Sequence, residues 1–261
     1  MQFCGDYHTH SRYSDGRQSV MEIVKAASSR GLSEIAITDH GPLAAVIGVK
    51  SAEQYLSIRE EIEVLKVLYP DINILLGAEA NIRDLHGTLD IPDTILQQLD
   101  VVIAGLHPYT LPTSLQDGRD IFLQNSLRHL GRKQRQAAIA ANTRATVQAI
   151  SSHPELDIIS HPGLFFEVDI EEVARACIKY QVLFEINCGH EHPKVSDIMK
   201  AQRLGVSFII NSDSHFQSTV GDLQYGSSMV QKLAIDESLV VNRKGGGGWS
   251  HWAKKSRLCI F

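Results

Sequence analysis

Short, continuously apolar runs recur along this chain, each closed by a polar residue and separated from the next by a stretch with helical spacing. The runs are EIAITDH ending at His40, INILLGAEANI around Glu79, VVIAGLH ending at His107, DIISHPG around His161, VLFEINCG near Asn187 and SFIINSDSH ending at His215. A strand that is apolar on both faces must be covered on both, which is the condition of strands in a parallel sheet with helical crossovers. The intervening segments carry helix-start signals. Ser19 with Glu22 and Ser51 with Gln54 have the capping-box spacing, and Asp169 with Glu172 is a looser form of it. Tyr55, Ile58, Ile62 and Leu65 then mark one helical face, and Val173, Ala176, Cys177 and Tyr180 another, so Cys177 reads as core. With an opening strand over residues 3 to 8, strand and helix or loop alternate through seven units. Such units closing on themselves make an α/β barrel of somewhat irregular form.

A chain of 261 residues suits one such domain better than two small ones. A hydrophobic share of 43% with 21% charged residues is ordinary for a soluble globular protein, and no apolar run approaches the length of a membrane span. The net charge of −5 gives no general reason to expect nucleic-acid binding. Cys4, Cys177, Cys188 and Cys259 form no CxxC pair, so neither a disulfide framework nor a zinc ribbon is indicated, and a reducing cytoplasm is the expected location. The connection from Pro108 to Ser152 is the longest, with helical periodicity from about Lys133 to Ile150, and it reads as an elaboration over one end of the barrel. Its cations Arg119, Arg128, Arg132, Lys133 and Arg135 read as a solvated face, with a basic cap that draws in anions as the alternative. Residues 242–261, with the run Gly245 to Gly248 and no clear period beyond it, read as a disordered tail without function, which leaves residues 1–241 as the folded domain.

The residues that close the apolar runs carry the chemistry. In DYHTHSRYSDG, His8 and His10 lie two apart and project to one side of a strand, and Asp15 follows in the loop. His40, Glu79, His107, His161, Asp213 and His215 stand at or just past the ends of later strands. In a parallel barrel all these ends lie on one face, where active sites of this architecture gather. Six imidazoles and three carboxylates without a thiolate suit zinc, manganese or iron, and disfavour the all-oxygen shells of magnesium and calcium. Nine donors exceed what one ion uses and suit two or three divalent transition-metal ions. Such a site polarises a phosphoryl group and supplies hydroxide at neutral pH.

Taken in order, DYHTHSRYSDG, ITDHGP, LGAEANI, AGLHPY, IISHPG and NSDSH resemble the motifs of the PHP (polymerase and histidinol phosphatase) family, in particular its stand-alone phosphoesterases with a trinuclear site. The likeness runs from about residue 4 to residue 235. It implies a distorted (β/α)7 TIM-like barrel that hydrolyses a phosphate ester. Carried over by motif, one ion would be held by His8, His10 and Asp213, a second by Asp15, His40 and His215, and a third by His107 and His161, with Glu79 bridging the first and third. The expected nucleophile is a metal-bound hydroxide, and the expected partner is a small phosphorylated molecule such as histidinol phosphate, a sugar phosphate or a nucleotide. Two readings from other classes stand beside this one: an amidohydrolase-like C–N or C–O hydrolase, and a non-catalytic metal-bound module.

Glu79, Asp213 and Arg12 are the candidate catalytic residues. Arg12 could reach a substrate phosphate with a bidentate fork, or face solvent. His190 and His192, in the loop CGHEHPK, read as surface residues with an alternative role in protonating a leaving alkoxide. Asp39 is expected to point away from its neighbour His40 and to orient a ligand from behind.

Overall fold

The computed structural model describes residues 1–258. Seven strands form one sheet in sequence order, every neighbouring pair parallel: β1 (Gly5–Asp6), β2 (Glu34–Ile37), β3 (Asn73–Asn81), β4 (Val101–Gly105), β5 (Ile158–Ile159), β6 (Leu183–Asn187) and β7 (Phe208–Asn211). Each apolar run read from the sequence contains one of them. The sheet curls until its ends meet beyond the strands proper. Thr9 forms a parallel bridge with Ser214, the His10 amide donates to the Ser214 carbonyl at 2.8 Å, and the Ser214 amide donates to the His8 carbonyl at 3.2 Å. The seam of this nearly closed barrel therefore runs through HxH and DSH.

Helices wrap the outside. At Val20–Ser29 the capping box forms as expected, with the Glu22 amide donating to Ser19 Oγ and the Ser19 amide to Glu22 Oε2. Asp169 caps Ile170–Tyr180 by accepting from the Glu172 amide. The Ser51/Gln54 box does not form. Gln54 Oε1 accepts instead from the Lys50 amide, and the helix Gln54–Leu68 starts behind Glu53 without a side-chain cap. The long β4–β5 connection contributes a helix over Arg132–Ser152 that packs against Ile170–Tyr180, so its main helix is part of the outer layer. No helix among the described residues is long and apolar enough to cross a membrane.

Alternation along the strands sorts the barrel interior by height, because successive side chains point to opposite faces. Leu75, Gly77, Glu79 and Asn81 share one face of β3, and Leu183, Glu185 and Asn187 one face of β6. Going up each strand, the shared face changes from apolar to polar. The apolar floor comprises Tyr7, Ala36, Leu75, Val101, Ile103, Ile158, Leu183 and Ile209, and Trp249 and Ala253 pack against it. These two belong to a helix, Gly248–Leu258, in the segment expected to be a disordered tail. That expectation is corrected for its described part; residues 259–261 lie outside the described residues. The glycine run Gly245–Gly248 leads into this helix. Gly248 sits at φ 69°, and a Cβ there would collide with Glu34 Oε2, so glycine is what lets the chain turn under the barrel. The Trp249 amide donates to the Tyr7 hydroxyl at 3.1 Å, and that hydroxyl donates to the buried Glu34 carboxylate.

Because Trp249 is 5% exposed and seals the floor, Trp249→Ala is expected to cost about 3 kcal/mol, the usual loss for a large buried aromatic. Urea denaturation of variant and parent at matched metal content measures it. A loss below about 0.5 kcal/mol, the range of surface substitutions, would show that the helix does not bear on the core.

Candidate metal centre

The nine side chains picked out from the strand ends come together at one end of the barrel, most of them buried. Glu79, on β3, is central. Its Oε2 lies 3.2 Å from His8 Nε2, 3.6 Å from His10 Nε2 and 3.0 Å from His40 Nδ1. Its Oε1 lies 3.2 Å from His107 Nε2 and 3.0 Å from His161 Nε2. One carboxylate thus faces two sets of imidazoles, one with each oxygen. Asp213 Oδ1 lies 3.2 Å from His10 Nε2 and 3.6 Å from His8 Nε2, and His215 Nε2 lies 3.3 Å from Asp15 Oδ2.

At this end of the barrel ligand-capable atoms cluster tightly in three overlapping groups, His8, His10 and Glu79; His10, Asp15, His40 and His215; and His40, Glu79 and His107, each with donor atoms within 4.8 Å of one another. These clusters share members, so the donors form one continuous patch with His10, His40 and Glu79 at the joins. Several of the atoms concerned, His8 Nε2, both nitrogens of His10, His40 Nδ1, Glu79 Oε2 and Asp213 Oδ1, are buried without a hydrogen-bond partner among the described residues. Orphaned polar atoms of this kind are costly in a folded interior, and their aim at common points gives them a purpose if cations sit there.

The field in the cluster has mixed sign. Burial favours a neutral Glu79, yet the facing imidazoles of His8, His107 and His40 hold its carboxyl well below the usual range. Burial likewise disfavours a charged His8, but Asp213, Glu79 and Glu185 keep its pKa well above normal. His10 is pushed down to about 3 by burial and by neighbouring His40 and His215, and His107 down to about 4, chiefly by burial. Protons and metal ions would compete for the same lone pairs.

A second layer of polar side chains fixes these rings. His8 Nδ1 lies 2.7 Å from Glu185 Oε1, so the His8 Nε2 lone pair is turned inward. Glu185 also accepts from Asn211 Nδ2 at 2.9 Å and from the His161 amide at 2.7 Å. The latter bond pins a residue at φ 27°, and Asp213 sits at φ 52°, so two of the donors hold backbone conformations that side-chain-bearing residues rarely adopt. His107 Nδ1 rests 2.8 Å from Asn81 Oδ1, and Asn81 is in turn held by Asp90. Gly105 makes room for the His107 ring, since a Cβ would come within 3.0 Å of it.

Glu185, Asn187, Asn81 and Asp90 were not singled out from the sequence. The signal for Glu185 was present, a carboxylate inside the apolar run VLFEINCG, where an unpaired charge would be too costly to bury. Asp39 acts differently from expectation. Its carboxylate accepts from the Ser11 amide and hydroxyl at 2.7 Å each and from Ser14, so it holds the loop that carries Asp15 and touches no ligand imidazole by these bonds. Arg12 does not converge on the cluster. Its side chain is 64% exposed and lies 3.4 Å from Glu22 Oε2, a surface ion pair at the start of the first helix. His190, read as a surface residue, is exposed, and it also lines the cavity above the cluster, with Nε2 3.4 Å from Asp213 Oδ2. His192, also read as a surface residue, is buried instead, with Nε2 2.9 Å from the Pro162 carbonyl.

A model of the PHP domain matches residues 6–189, and the chain belongs to that family. A probable phosphatase of Thermoanaerobacter sp. (strain X514) is 31% identical over 267 residues, which cover 98% of this chain and 97% of the relative. The DNA polymerase/3'-5' exonuclease PolX of Bacillus subtilis is 27% identical over 93% of this chain but only 40% of its own length. Among solved structures, the histidinol phosphate phosphatase of Lactococcus lactis, complexed with zinc, L-histidinol and phosphate, superposes with a TM-score of 0.59 at 17% identity, covering 90% of this chain and 95% of the other. That likeness establishes the shared barrel fold. The family and the convergent donors together define a PHP-domain protein with groups of His, Asp and Glu that can hold metal ions.

Two outcomes follow from this geometry. Glu185→Gln is expected to weaken zinc binding about 10- to 100-fold, as loss of a carboxylate behind a metal-ligating imidazole does, measured by competition with a chromophoric chelator. Unchanged affinity would mean that Glu185 serves the fold alone. The second concerns metal-free protein. His8, His40, His161 and His215 have pKa values raised above 6.5, that of His215 to about 9, so their stabilisation is complete below pH 6.5 and is lost as pH rises through the folded values. His10 and His107 are depressed, so stability falls as pH drops below 6.5, and Glu79 and Asp213 lose theirs at lower pH still. Thermal melts of chelator-treated protein should therefore peak near pH 6.5, and saturating zinc should remove the alkaline decline. A metal-free Tm that climbs steadily to pH 9 would contradict the assignment.

Proposed function

We propose that this protein is a metal-dependent phosphoesterase that hydrolyses a small phosphate ester, with two to three zinc, manganese or iron ions held by His8, His10, Asp15, His40, Glu79, His107, His161, Asp213 and His215. The observation that carries this reading is the placement of Glu79, whose two oxygens each face a separate set of imidazoles, as a carboxylate shared between ions requires. The names of the curated relatives, probable phosphatases, and the phosphate and zinc in the histidinol phosphate phosphatase point the same way. The relatives' stated activity and the donor set favour phosphorus chemistry over attack at carbon.

Ions bound there would lower the pKa of a coordinated water and draw charge from the phosphoryl oxygens. The chain's own groups do the rest. Glu79 fixes the spacing of the donors, Glu185 and Asn81 keep the rings of His8 and His107 from turning, and Asp39 holds the loop bearing Asp15. His190 stands at the cavity wall, placed to give a proton to the departing alkoxide. Water adds to phosphorus, the phosphorus–oxygen bond to the alcohol breaks, and that oxygen takes up a proton. None of the nine donors is a Ser or Cys, and on this reading the nucleophile is water, with no covalent phosphoenzyme.

Elemental analysis of protein purified without chelator should give two to three transition-metal ions per chain, and hydrolysis in oxygen-18 water should place the label in inorganic phosphate and leave the alcohol unlabelled. Label in the alcohol would mean attack at carbon and would overturn the reading. Folded, active protein with fewer than about one ion per chain would overturn the metal-dependent mechanism.

A further inference from the structure

Above the donor cluster the cavity changes character. Its volume is about 390 Å³, and its outer wall is formed by Ile47, Pro108, Tyr109, Phe165 and Phe216. Among the described residues that line it there is no Lys or Arg. Two arginines near it in sequence are engaged elsewhere: Arg12 with Glu22, and Arg83 with the carbonyls of Leu111 and Pro112.

This wall is held in place. The loop carrying Ile47 is joined to the one carrying Tyr109 by a bridge between Ala44 and Thr110, with the Ala45 amide donating to the Tyr109 carbonyl at 2.9 Å and the Leu111 amide to the Leu43 carbonyl at 3.0 Å. The Phe216 carbonyl accepts from Ser214 Oγ at 2.8 Å and Thr219 Oγ1 at 2.9 Å. Phe165 lies edge-on to His107, His161 and His190, with ring centroids 5.7, 5.5 and 5.8 Å apart. Yet Tyr109 is 59% and Phe216 55% exposed. Large aromatic surfaces fixed beside a polar cluster and left open to solvent are the usual form of a site that takes an apolar ligand part.

Resting on the phosphoesterase reading, we propose that the substrate is a phosphomonoester bearing a single anionic group, whose alcohol carries a flat, uncharged aromatic ring that packs on Tyr109, Phe165 and Phe216. A second phosphate or a carboxylate would have to give up water against this wall with no cation to receive it. A polyhydroxylated sugar would leave hydroxyls facing Ile47 and the aromatic rings. An aromatic ring loses nothing polar there and gains offset or edge-to-face contacts. The cavity volume, at the small end of the usual range for ligand sites, accommodates a phosphate with one ring system.

The test compares primary alkyl esters, so that leaving-group acidity does not decide the result: 2-phenylethyl phosphate, glycerol 3-phosphate and fructose 1,6-bisphosphate, with manganese-loaded protein. The expected kcat/KM for the phenylethyl ester is at least about tenfold above each of the others, and benzylphosphonate should inhibit about tenfold more tightly than methylphosphonate. Phe216→Ala should reduce the ratio of phenylethyl to glycerol ester kcat/KM by about three- to tenfold. Phe216→Arg, which supplies the missing cation, should move preference toward the bisphosphate. Hydrolysis of all three esters without preference, or a preference for the bisphosphate in the parent protein, would overturn this inference and leave the phosphoesterase reading standing. Hydrolysis of none would overturn both.

Discussion

A buried carboxylate surrounded by imidazoles governs this molecule. Glu79 is 1% exposed and sits within 3.6 Å of nitrogens from His8, His10, His40, His107 and His161. An isolated charge at that depth would cost several kcal/mol, so the imidazoles, and the ions they are suited to hold, are what allow it to remain there. Those rings reach Glu79 only because four other strand ends or post-strand loops arrive at the same height. Parallel register between neighbouring strands does this, and the seam between Thr9 and Ser214 closes the ring of donors.

The same register gives the barrel three levels. Apolar side chains fill the lower interior, with Trp249 and Ala253 packed against them from below. Glu185, Asn187 and Asn211 form a polar middle layer in which each carboxylate or amide bonds another or a donor above. The metal-capable groups form the top. A chain folded this way excludes water from the underside of the site while leaving the upper side open, which is what lets a charged ester reach buried donors. The middle layer also explains why tight geometry survives at His161 and Asp213. Each of these positive-φ residues is held by a side chain from β6, Glu185 accepting from the His161 backbone amide and Asn187 donating to the Asp213 side-chain carboxylate.

Much of this was legible in the amino-acid order. Continuous apolar runs fixed both the number of strands and their parallel arrangement, because no other common arrangement covers such strands on both faces. Since active ends of parallel barrels share a face, position at the end of a run was enough to select the nine donors without knowing any distance. Glu185 escaped because its neighbours are strand-interior residues and a single buried charge has no periodicity. Arg12 misled because its sequence neighbourhood, between His10 and Asp15, resembles a site position, whereas Glu22 at the helix start offered it a nearer carboxylate. His192 was misread as a surface residue because loop residues carry no facing information.

The sequence by itself determined the barrel, its order of strands and the identity of the convergent donors, all properties encoded by local pattern and by the handedness and period of regular structure. Tertiary structure alone decided three things. It settled which donors share Glu79, since that depends on heights and rotations accumulated around seven strands. It turned a glycine-rich tail into the helix that packs under the barrel, since the stabilising surface for Trp249 is assembled from residues as distant as Tyr7 and Ile209. And it made the wall above the site aromatic and uncharged, because Ile47, Tyr109, Phe165 and Phe216 come from four separate loops whose side chains meet only when the ring of strands has closed.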